Sequence, residues 1–343
     1  MASKKGRVTI HDLARELNIT PSTVSRALAD HPRISASTKK AVIKLARKLN
    51  YQPNSIASSL RTGKGNTIGV IIPRISRHFF STVIGGIEEV ANQAGYNVLI
   101  CQSHESYEKE VENGKALVNG RVDGLLVSIA TETKDYRHFK MAKDRGIPLI
   151  FFDRVFSELE VSRVVLDDEE GAYQATKHLI EQGCNRIAHL AGPEHINVYY
   201  NRRAGYMKAM KEAGLKIREE YYITECLTRK SGYEAGEHLS ALKTPPDGIF
   251  AAGDYSCLGA MLNFKEKGFR IPEDIAFVGF ANEPFTSVME PQLTTVEQHS
   301  LQMGRYVANL FLEEIRNKEE KFIPRTLTIK PELIIRSSSL HKK

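Results

Sequence analysis

From residue 68 onward the chain repeats one unit: a short apolar run, an amphipathic stretch, another apolar run. The runs fall at Ile68–Ile72, Val98–Cys101, Gly124–Ile129 and Leu149–Phe152, then at Ile187–Leu190, Tyr221–Thr224, Ile249–Ala252 and Ile275–Phe280. Stretches of helical period, such as Phe80 to Ala94, separate them. Short apolar runs alternating with helices predict parallel sheets covered on both faces. Two such series predict two doubly wound lobes, with ligand sites beyond the carboxyl ends of the strands.

The first 64 residues are of another kind. They hold 13 Lys and Arg against 3 Asp and Glu, whereas the remainder holds 35 against 38. A basic head on a slightly acidic body predicts a polyanionic partner for the head alone. The head also carries the apolar pattern of a folded unit. Ile10, Leu13, Ala14 and Leu17 share one helix face, with Thr9 as its N-cap. Asn18-Ile19-Thr20 interrupts the pattern, and Pro21 opens a short second helix in the turn where proline is tolerated. That helix turns Val24, Ala27 and Leu28 inward. A third, Ser37 to Leu49, is expected to bury Val42, Ile43, Ala46 and Leu49 beneath an outer row of Lys39, Lys40, Lys44, Arg47 and Lys48. Two short helices joined by a tight turn and braced by a third form a helix-turn-helix, whose second helix enters the major groove.

The blocks VTIHDLARELNITPSTVSRAL, ISASTKKAV and LNYQPNSIASSLRTGKGNTIGV, in this order and spacing, resemble the head and hinge of the lactose-repressor (LacI/GalR) family of bacterial transcription regulators. The resemblance continues almost to the C-terminus. It implies a helical head in residues 1–52, a hinge helix and linker in 53–65, and a two-lobed body like the periplasmic binding proteins in 66–340. Lobe 1 is expected at about 66–160 and 294–322, lobe 2 at about 161–293 and 323–340. The resemblance also places Pro21, Ser22 and Arg26 among the residues that read base edges. A guanidinium bonds guanine O6 and N7 together, while Pro21 offers apolar contact only. Thr20, Thr23 and Ser25 carry hydroxyls suited to phosphates, with helix capping as their ordinary alternative. In the hinge, Asn54, Ala57 and Leu60 are the implied DNA contacts, Leu60 as a minor-groove wedge.

For the body, polar and aromatic residues just past strand ends are the cleft candidates: Ser76, Phe79 and Phe80, then Asp153 and Arg154, then Asp254, and last Asn282 and Glu283. Arg202, in NRRAGY, and Asp254 match the family's effector contacts by resemblance. An arginine facing a carboxylate suits vicinal hydroxyls, and an arginine also grips phosphate or carboxylate. Many members carry an acidic residue after GF where this chain has Ala281, so Asn282 is expected to take over its hydroxyl contact. The effector class is left open among sugar, sugar phosphate and sugar acid.

Enzyme chemistry finds no support, since GxSxG, GxxxxGK[ST] and HExxH are all absent. The four cysteines form no CxxC pair, so neither zinc nor a disulfide framework is expected, nor any cofactor. A reducing cytoplasm suits them. The expected partners are double-stranded operator DNA, a small effector and a second copy of the chain. The main rival is a solute receptor with an incidental basic head, against which TVSRAL argues; another is a regulator whose input is a partner protein.

Overall fold

The computed structural model describes residues 8–51, 65–316 and 323–340. The chain divides into two compact units at Gly65/Asn66. In the first, α1 (Ile10–Glu16) begins at Thr9, whose amide and hydroxyl both donate to Asp12 Oδ2, at 2.9 and 2.7 Å. A turn through Asn18, at φ 51°, leads to α2 (Pro21–Leu28), and α3 (Ala36–Lys48) follows. Leu13, Val24 and Val42 meet with no exposed surface, flanked by Ala14, Ala27 and Ala46. Each such branched side chain contributes about 1.5–3 kcal/mol on burial. Ile43, expected inward, is 41% exposed. Val42 and Ala46 occupy the inner stripe four residues apart, and the next residue round lies about 100° away.

The second unit holds two six-stranded sheets. The first runs β11 (Thr326–Ile329), β5 (Ser162–Leu166), β4 (Leu149–Phe152), β3 (Gly124–Val127), β1 (Thr67–Ile72), β2 (Asn97–Gln102). The second runs β12 (Glu332–Ile334), β10 (Thr294–Glu297), β9 (Ala276–Phe280), β8 (Gly248–Ala251), β6 (Ile187–Leu190), β7 (Tyr222–Ile223). Neighbours are parallel except β10 and β12. The connecting helices are α4 (His78–Gln93), α5 (Tyr107–Asn119), α6 (Arg137–Asp144), α7 (Asp168–Glu181), α8 (Asn197–Glu212), α9 (Arg229–Ser240), α10 (Asp254–Glu266) and α11 (Ser300–Arg316).

The strand pairings correct the expected lobe boundaries. Val164 pairs with Leu327, so β5 and β11 belong to the first sheet, not to lobe 2. Thr295 pairs with Gly279, which puts β10 in the second sheet, not in lobe 1. The chain therefore crosses between lobes after β5, after β10 and after β11. These strands are four or five residues long. A period of two identifies a strand but not its partner, which register fixes in the folded protein.

Helix packing over the first sheet needs glycine at one crossing. A Cβ on Gly304 of α11 would stand 2.0 Å from the Val83 carbonyl, and one on Gly86 of α4 would stand 2.2 Å from that of Leu301. The two backbones touch there, which fixes where α4 begins and hence where Phe79 and Phe80 stand.

Candidate recognition helix and interlobe cavity

On α2 the side chains sort into two groups. Ser22 and Arg26 are exposed, while Pro21, Thr23 and Ser25 are half-buried. The Thr20 hydroxyl accepts the Thr23 amide hydrogen at 3.2 Å and lies 2.8 Å from Ser22 Oγ and 2.9 Å from Thr23 Oγ1. Thr20 is thus the N-cap, the ordinary alternative for a hydroxyl there. Arg26 extends from the last turn of α2 into solvent, and Lys40, Lys44, Arg47 and Lys48 are exposed along α3. Asn54, Ala57 and Leu60 lie outside the described residues.

In the body, the carboxyl ends of strands from both sheets enclose a cavity of about 280 Å³. Phe79, Phe80, Asp153, Arg154, Arg202, Asp254 and Glu283 line it, seven of the nine body residues expected from sequence. Ser76 and Asn282 do not. Asn282 stands in left-handed backbone, φ 50°, and turns into the second lobe. There its Nδ2 donates to Glu297 at 2.7 Å and its Oδ1 accepts from Arg336 at 2.9 Å. With both amide ends engaged, it takes no part in the cavity, whereas Phe280, Ala281 and Glu283 beside it line the space. Arg202 lies in the second turn of α8.

Other lining residues were not expected from sequence: Arg74 and Arg77 before α4, Glu105, Tyr199 and Tyr255. Each sits on a connection after a strand, so the strand-end rule reaches them. No local signal separates them from other polar loop residues.

Each arginine of the cavity has an anionic or aromatic partner. Arg202 donates to Asp168 from Nε at 2.8 Å and to the Ala252 carbonyl from Nη1 at 2.7 Å, with its plane 3.7 Å from the Phe280 ring centre. Arg154 donates to Glu105 at 2.8 Å and to the Tyr199 hydroxyl at 3.1 Å. Arg74 stands 3.6 Å from the same Glu105. Arg77 lies 4.0 Å over the Tyr255 ring. Burial would raise the Glu105 carboxyl, but Arg154 beside it and the Thr131 amide outweigh burial and hold it below its ordinary value.

The remaining carboxylates behave differently. Asp254 accepts from the Glu283 amide at 2.8 Å and from the Thr295 hydroxyl at 2.7 Å. Burial pushes it up to about 6 despite those bonds. Asp153, at φ 58° and with Ser128 Oγ 3.2 Å from Oδ2 and Arg154 at 4.0 Å, is also raised, chiefly by burial. Such groups sit ready to exchange hydrogen bonds with hydroxyls, since a carboxyl accepts when charged and also donates when neutral.

Residues 9–54 match the family model of bacterial regulatory proteins of the lacI family, and residues 176–339 a periplasmic binding protein-like domain. The chain is similar to catabolite control protein A of Priestia megaterium, 33% identical over 91% of this chain and 93% of that one. It is also similar to the HTH-type transcriptional repressor PurR of Vibrio vulnificus, 31% identical over 96% and 98%. Among solved structures, the lac repressor dimer bound to operator and the anti-inducer ONPF matches with a TM-score of 0.86 at 25% identity, over 98% of this chain and all of that one. The transcriptional regulator CelR–cellobiose complex matches at 0.74 and 27%, over 97% and 100%. The resemblance first seen in TVSRAL and NYQPN thus extends through both units: the chain belongs to the lacI family of bacterial regulatory proteins, which are DNA-binding transcriptional regulators and not enzymes.

Proposed function

We propose that this chain is a cytoplasmic repressor that binds a pseudo-palindromic operator as a homodimer and is switched by a neutral sugar held between the lobes. The observation that carries the ligand class is the charge balance of the cavity. Arg74, Arg154 and Arg202 already face carboxylates, and Arg77 covers an aromatic ring. A sugar phosphate or sugar acid would have to displace Glu105 or Asp168 from its arginine, leaving a buried carboxylate unpaired at a cost of several kcal/mol. A polyhydroxylated neutral molecule instead adds hydrogen bonds to groups that stay in place, with Phe79, Phe80 and Tyr199 offering apolar faces.

Two features support the rest. Arg26 and the exposed lysines of α3 suit a duplex, base edges for the first and phosphates for the others. Leu99 and Ile100, on edge strand β2, are 51% and 43% exposed, an apolar edge suited to a second copy. Symmetric pairing of two heads reads a symmetric site. Effector and operator then change each other's affinity by one common factor.

The test is a duplex selection with the full-length protein, followed by a thermal-shift screen in which neutral sugars, with cellobiose first, compete with sugar phosphates and sugar acids. Enrichment of an inverted repeat and stabilisation by a neutral sugar are expected. No enriched duplex would overturn the operator assignment, and stabilisation confined to anionic ligands would overturn the ligand class.

A further inference from the structure

Asn197 opens α8 in the second lobe, after an N-cap position, Ile196, whose side chain supplies no capping bond. Its side-chain amide points across the cleft to the first lobe, to the backbone that follows β4. Oδ1 accepts the Val155 amide hydrogen at 2.9 Å, and Nδ2 donates to the Asp153 carbonyl at 3.0 Å. One primary amide thereby holds the chain on both sides of a single residue. That residue is Arg154, whose guanidinium spans Glu105 of its own lobe and the Tyr199 hydroxyl, two residues beyond Asn197 on α8. The same helix start adds Ile196, Val198 and Tyr199 to an apolar cluster that contains Val127 and Phe151 of the first sheet.

We infer that Asn197 is the positioning residue of the cavity: it clasps the backbone around Arg154 across the cleft, so that opening the lobes and releasing the aim of Arg154 are one event. Asp153 is held at φ 58°, a conformation that a carboxylate-bearing residue visits but does not favour over the common basins. Bonds on either side of Arg154 are what such a turn needs to persist. Asn is the residue that fits, because it presents a donor and an acceptor side by side to a backbone carbonyl and amide. The consequence for a ligand rests on reading the cavity as the effector site; the clasp itself does not.

Hydrogen exchange of the full-length protein, without ligand, tests the clasp. In Asn197→Ala, exchange across residues 153–155 is expected to rise roughly tenfold, the scale of one lost hydrogen bond, while β4 itself is unchanged. Asn197→Asp keeps an acceptor for the Val155 amide but loses the donor to Asp153, so it is expected to restore most of the protection at Val155. A residue that merely packed would give no such split between the two variants. Unchanged exchange in Asn197→Ala, equal exchange in both variants, or a rise spread over the whole second lobe would each overturn the inference. A sugar screen that finds no binder would overturn the reading of the cavity and leave the exchange result to decide the clasp.

Discussion

Arg202 holds Asp168 by a single carboxylate oxygen, with Nε at 2.8 Å and Nη2 at 2.7 Å, and their side chains are 6% and 1% exposed. Burial drives the Asp168 carboxyl up and Arg202 pulls it back, with burial the larger influence. Truncating the arginine alone leaves that carboxylate buried with no cation. Arg202→Ala is expected to cost about 3–5 kcal/mol in urea unfolding at pH 7 and to abolish the response to effector. Replacing both partners, as in Arg202→Met with Asp168→Leu, is expected to recover most of that stability but not the response. A single variant as stable as the parent would refute the tight pairing.

Acid sensitivity should trace to His189. It is fully buried between the rings of Tyr206 and Phe250, and its Nδ1 lies 3.0 Å from the Phe250 carbonyl. Nδ1 therefore carries the proton, and Nε2 has no partner among the described residues. Burial presses its pKa from 6.5 down to about 4. Between those values the unfolded chain binds the extra proton and the folded chain does not, so stability from this group is lost as pH falls from 6.5 toward 4. At pH 5 the loss is about 2 kcal/mol. Asp254, raised from 3.8 to about 6, acts in the opposite sense, because there the folded chain holds the proton. His189→Phe should flatten the acid limb of unfolding free energy against pH; an unaltered limb would place the sensitive group elsewhere.

Within the head, capping and reading separate. Thr20→Ala removes the acceptor for the Thr23 amide and is expected to cost about 1 kcal/mol of head stability, with base preference intact. Arg26→Ala should leave stability within about 0.5 kcal/mol, since its side chain is exposed, yet relax preference at one base pair by about 1–3 kcal/mol. Duplex selection alongside thermal unfolding resolves the two effects. Swapped outcomes would reverse the assignments.

Much of this was legible from sequence because the physics is local. The apolar runs at Ile68, Gly124, Leu149 and Ile249 are strands, and Leu13, Val24 and Val42 are the head core, since their periodicity leaves little choice. The short runs Ser162–Leu166 and Thr294–Glu297 each sit in the lobe opposite to the expected one, because the partner of a strand is decided by register in the folded protein: Val164 pairs with Leu327, far along the chain, and Thr295 with Gly279. In the cavity, Arg154 and Asp254 follow from the strand-end rule and Arg202 from the family resemblance, but their pairings follow from neither. Asp168, the partner of Arg202, opens a helix 34 residues earlier, where an acidic residue reads equally well as a first-turn carboxylate. Asn282 misled for a similar reason: only the fold reveals that Arg336, 54 residues on, claims its oxygen.

Ala281 lines the cavity with φ at 125°, in a region open to glycine and costly for any residue with a Cβ. Its amide hydrogen bonds the Val296 carbonyl, and its neighbour Asn282 is fixed by Glu297 and Arg336, so the surroundings hold the backbone there. Such strain costs on the order of 1–3 kcal/mol. Replacing alanine by glycine ordinarily destabilises, through added freedom of the unfolded chain, by roughly 0.5–1 kcal/mol. Here the relieved strain is the larger quantity, so Ala281→Gly is expected to raise stability by about 1 kcal/mol. The same change frees the wall of the ligand space, and weaker sugar affinity is expected with it, measured by calorimetry beside urea unfolding. Should the glycine variant show the ordinary loss, the backbone at 281 is not strained, and its fixed shape cannot be what replaces the missing side chain in the cavity wall.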